Sequence, residues 1–114
     1  MLQITPQQLA LFTEPIERKL EDKIVAFVVS RQELAQQGDA EFMRAAVQQL
    51  IPRGRRNGLE SPNDLVRYVY LSLLCGYRAS GQDVCQKYQL PYRSDALRAA
   101  QARAVEFAAK GQEP

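Results

Sequence analysis

The groups that could do chemistry in this chain are few. It has no histidine and two cysteines, Cys75 and Cys85. Without an imidazole, a Ser-His or Cys-His nucleophile cannot be assembled. Two thiols outside any Cys-x-x-Cys spacing do not make an ordinary structural zinc site. Reduced, packed thiols are the expectation, with one disulfide as the alternative. Glu14, Glu17, Glu21, Asp22 and Glu33 are interleaved with Lys and Arg along a helical stretch. That pattern describes a solvated face rather than an acid–base pair. No Gly-x-Gly-x-x-Gly or Walker-type loop is present, and no acidic run has calcium-loop spacing. The sequence therefore predicts no catalytic set, no cofactor and no metal, which leaves binding or assembly as the residual class.

Two groups of residues could bind a partner. The first is Arg53-Gly54-Arg55-Arg56, the one concentrated charge feature. It reads either as an anion-binding rim or as cations complementing the dipole of a helix C-terminus. The second is Tyr68, Leu71 and Cys75, spaced i, i+3, i+7 on the less crowded half of an apolar helix. That half is either wrapped by the rest of the fold or partly exposed as an interaction patch, where tyrosine is a favoured residue. Tyr88, Tyr92 and Arg93 around Pro91 read as a loop closed by tyrosine packing.

The elements that must position these residues are all helices. Thr5-Pro6 and Thr13-Glu14-Pro15 are start signals, so the first helix is expected to break or kink near Pro15. It then runs to about Arg31, with Ile16, Leu20, Ile24, Phe27 and Val28 on one face. Asp39 is the expected N-cap of the next helix, whose inner side holds Phe42, Met43, Ala46, Val47, Leu50 and Ile51. Pro52 either kinks that helix or stops it, and Asn57-Gly58 is a C-cap signal. Ser61-Pro62-Asn63-Asp64 opens the apolar helix, with Ser61 and Asp64 as a candidate capping box and Gly76 as the stop. Asp83 lies in the start signal of a short helix through about Gln89. A final helix from Ser94 has Leu97, Ala100, Ala104, Phe107 and Ala108 on its inner side.

The predicted fold is therefore all-α, a compact bundle of about five helices in one domain over residues 1–110, with a frayed tail at 111–114. The length of 114 residues, 46% apolar and 25% charged content suit one cored domain. A formal charge of +2 gives no bulk support to general nucleic-acid binding. The N-terminus has no basic region before an apolar stretch, and no apolar run approaches the ~20 residues of a membrane span. A cytoplasmic location is the resulting expectation.

The order of motifs carries a resemblance. An N-terminal "ITPQQLALF" leads into a long amphipathic helix, and "RRNGLESPNDLVRYVYLSLLCG" follows. This resembles small helical accessory proteins encoded beside spike and effector genes of type VI secretion systems. The likeness covers residues 1–77 and is carried by Arg55, Arg56, Asn57, Gly58, Leu59, Ser61, Asp64, Val66, Tyr68 and Gly76. It implies a non-catalytic adaptor or chaperone-like factor for an effector, binding a toxin, its adaptor or a spike protein. Tyr68, Leu71 and Cys75 would form the contact, rimmed by Arg53, Arg55 and Arg56. An immunity protein that blocks a toxin is the alternative. A small nucleic-acid-binding regulator is a second alternative, and self-association as a homodimer is also open.

Overall fold

The computed structural model describes the backbone of residues 17–109 and the side chains of residues 20–103. The expected start at Thr5, the break near Pro15, the tail at 111–114, the inward positions of Ile16, Ala104, Phe107 and Ala108 and the side chains of Glu14 and Glu17 lie outside those limits. Within them the chain is all helix and turn. The elements are α1 (Glu17–Ser30), a 3-10 turn (Gln32–Leu34), α2 (Ala40–Arg56), α3 (Pro62–Leu74), α4 (Tyr77–Ser80), α5 (Val84–Tyr88) and α6 (Ser94–Ala109). No described helix is long and apolar enough to cross a membrane.

Local chemistry explains most boundaries. Asp39 caps α2, its carboxylate accepting from the Phe42 amide at 2.8 Å. Helix α2 continues through Pro52, which is exposed. The carbonyl that loses its donor there belongs to Gln48, also exposed, so water can serve it. Asn57 and Gly58 then end the helix as the sequence predicts. Gly58 adopts φ +111°, its amide donates to the Arg55 carbonyl at 3.2 Å, and the Leu59 amide reaches back to Gly54 at 2.9 Å. This is the Schellman arrangement, closed by an apolar residue, since Leu59 is buried.

Helix α3 starts differently from the expectation. Ser61 has an extended backbone but makes no side-chain capping bond, so no Ser61/Asp64 capping box forms. Pro62 at the first helical position and the Leu65 amide bonded to the Ser61 carbonyl at 2.9 Å set the start. The capping box occurs instead at α5. Asp83 accepts from the Gln86 amide at 2.7 Å, and the Gln86 side chain accepts from the Asp83 amide at 3.1 Å.

Helix α3 touches every other described element: α1, the 3-10 turn, α2, α4, α5 and α6. Its buried residues are Leu65, Val66, Tyr68, Val69, Tyr70, Leu71, Ser72 and Leu73. They share one apolar core with Ile24 and Val28 of α1, Val47 and Leu50 of α2, Val84 of α5 and Leu97 of α6. The apolar circumference read from the sequence is thus a helix wrapped on all sides.

Candidate functional site

The expected interaction patch is not on the surface. Tyr68 and Leu71 are fully buried and Cys75 is 5% exposed. The alternative of an exposed face is corrected on this point: Tyr68 lies against Gly54 of α2 and bonds to Asp83, and Cys75 lies against Tyr88 of α5. Val29 is the large hydrophobic that stands out to solvent among the described residues.

The three arginines are not equivalent. Arg55 and Arg56 are exposed on the last turn of α2. Arg53 is drawn inward, with its guanidinium 3.8 Å from the Asp83 carboxylate and 5.8 Å from the centre of the Tyr77 ring. Its Nη1 also lies 3.4 Å from the Gly81 carbonyl and from the Gln86 side chain.

Asp83 is the centre of this arrangement and is fully buried. Tyr68 Oη donates to its Oδ2 at 2.7 Å and Tyr92 Oη to the same oxygen at 2.8 Å. The Gln86 amide takes Oδ1. One carboxylate therefore ties α2, α3, α5 and the turn before α6 together. Burial, then the adjoining carboxylate, pushes both phenols well above the ordinary tyrosine range. With both oxygens of Asp83 engaged by fixed donors, the cluster resembles a structural anchor more than an acid–base pair.

The thiols are placed as packed groups. Both are free and buried. Cys75 Sγ lies 3.5 Å from Tyr88 Oη, and burial pushes its thiol up. Cys85 is pushed up to about 12, first by burial and then by Asp83. Neither carries the thiolate that reactivity needs near neutral pH.

Glu33 departs from its expected place on a solvated face. It sits in the 3-10 turn with its side chain 11% exposed, paired with Arg31 at 2.7 Å and accepting from Tyr70 Oη at 2.7 Å. Burial alone would raise its pKa. The bonds from Tyr70, its own backbone and Arg31 outweigh burial and hold it below the usual carboxylate range.

A second polar feature was not legible in the sequence. A cleft of about 440 Å³ opens where α3 and α6 begin, lined by Ser61, Asn63, Asp64, Arg67, Ser94 and Arg98. Arg67 Nε donates to the Gln101 side chain at 2.9 Å, and Arg98 Nη2 donates to Ser94 Oγ at 3.2 Å. Arg67 was visible as the polar interruption of α3. Its partner Arg98 comes from 31 positions further along the chain, and only packing of α3 on α6 unites them. The described residues hold no cluster of His, Cys, Asp and Glu that could bind a metal.

No protein-family model, no curated protein and no solved structure matches the chain.

Proposed function

We propose that the chain is a non-catalytic protein-interaction module, an adaptor or chaperone-like factor serving a type VI secretion effector. The secretion link rests on the resemblance of residues 1–77. The observation that carries the binding mode is the charge of the outward surface. Between Arg53 and Arg103 the chain has nine Lys and Arg against four Asp and Glu; of these Asp83 is buried and Arg53 is turned in towards it. The large apolar side chains of the same segment are spent on the core or packed against it. A partner would therefore meet arginines, with Arg55 and Arg56 at the end of α2 in its path. Surfaces of one sign steer and register an oppositely charged protein more than they add affinity. The partner of this reading is an effector, adaptor or spike protein with an acidic face.

The experiment is co-purification of the tagged protein from cells that naturally express it, beside an Arg55→Glu/Arg56→Glu variant. The expected result is a secretion component in stoichiometric amount with the unaltered chain and its loss with the variant. Both side chains are exposed, so the variant should keep its fold. Recovery of the chain alone, or equal recovery of the partner with the charge-reversed variant, would overturn the reading.

A further inference from the structure

The cleft at the start of α3 and α6 holds an arrangement that the protein-interaction reading does not use. Two guanidinium groups, from Arg67 and Arg98, line one cavity from different helices. Burial first, and then the charge of Arg98, disfavours the protonated form of Arg67. Each makes its hydrogen bond to a neutral oxygen, that of Gln101 or Ser94. Among the described residues, neither is in an ion pair. Asp64 is also on the lining and its field favours charged Arg67, but it does not pair with it and leaves the cleft with a net charge of +1. Asp64 offsets only part of the positive charge that packing gathers here, and a bound anion would balance the remainder.

The remaining lining matches an anion with several oxygens. The Ser61 hydroxyl makes no capping bond, although it stands at the N-terminus of α3. Ser94 opens α6 on the other side. Both helices are long, 13 and 16 residues, so their positive ends add to the field in the cleft. Asn63 Oδ1 lacks a hydrogen-bond partner among the described residues. Two planar forks and two hydroxyls offer more donors than the two oxygens of a carboxylate can accept, whereas a phosphoryl group has three terminal oxygens. The volume lies within the ~300–1,000 Å³ of small-molecule sites.

The geometry points to a binding site for the phosphoryl group of a small molecule, held by Arg67 and Arg98 between the first turns of α3 and α6. It stands apart from the partner contact proposed at Arg55 and Arg56, and either can fail without the other.

The test is a titration of the full chain with inorganic phosphate at fixed ionic strength, followed by 1H–15N NMR, with acetate as the carboxylate control. Phosphate should shift the amides of Asn63, Asp64, Ser94 and Asp95 saturably, and acetate should not. Arg98 is exposed, so Arg98→Gln keeps the fold and should weaken half-saturation roughly tenfold. The absence of saturable shifts, or an unchanged response in Arg98→Gln, would overturn the site. An equal response to acetate would overturn the phosphoryl assignment.

Discussion

Asp83 shows how much a single residue can hold. Its carboxylate accepts two phenol hydroxyls and a backbone amide, and it stands beside Arg53, with no exposure to solvent. Replacing it with alanine leaves Tyr68 Oη, Tyr92 Oη and an amide without a partner in the interior. Unsatisfied buried groups cost about 1–3 kcal/mol each, and the partial exposure of Arg53 lets water relieve the remaining charge. Asp83→Ala is expected to lower the unfolding free energy by about 3 kcal/mol, measured by urea denaturation. A loss below about 1 kcal/mol would mean that the tyrosines re-pair with water and that the cluster does not anchor the fold. Tyr68→Phe should cost less, because the carboxylate keeps its other donors.

At the scale of elements, the crossing of α2 over α3 depends on a residue with no side chain. A β-carbon on Gly54 would sit 3.1 Å from Tyr68 Cε2 and 3.2 Å from Leu65 Cδ2. The helices approach this closely because nothing stands between them. Alanine there gains helix propensity of about 1 kcal/mol while crowding two neighbours, so its net effect is small. Valine adds two methyl groups to a contact already full. Gly54→Val is expected to lower stability by about 2 kcal/mol, seen as an earlier denaturation midpoint with the slope unchanged. An unaltered midpoint would place the two helices further apart than the structure has them.

The whole molecule is organised around α3. Every other described element packs on it, and its length is enclosed except in its first turn, near Arg67 and at Leu74. Leu71 is at the centre of that enclosure, fully buried. An exposed patch would tolerate Leu71→Asp with the fold intact. Enclosure predicts the opposite, since an unpaired carboxylate in the core costs upwards of about 4 kcal/mol against a total stability of roughly 5–15. Leu71→Asp should lose cooperative melting and its near-ultraviolet circular dichroism. A variant that stays folded while losing a partner would return this face to the surface.

What the sequence by itself determined was local and periodic. The all-α class, the starts at Asp39 and Pro62, and the ends at Asn57-Gly58 and Gly76 follow from capping chemistry, which acts within a few residues of itself. The core faces of α1 and α2 follow from apolar spacing of the same short range. The wheel of α3 also announced that the helix was apolar on nearly all sides. Spacing could not say what covered its second half, because cover comes from residues distant in the chain. Tertiary structure alone decided that Tyr68, Leu71 and Cys75 face inward, that Glu33 leaves the solvated face to meet Tyr70, and that Asp83 gathers hydroxyls from positions 68 and 92. It also brought Arg67 and Arg98 onto one cleft. Hydrophobic burial is non-directional and rewards any enclosure of apolar area, so the helices and their faces are legible while the pairing of faces is not. The polar clusters are formed where that packing brings them together.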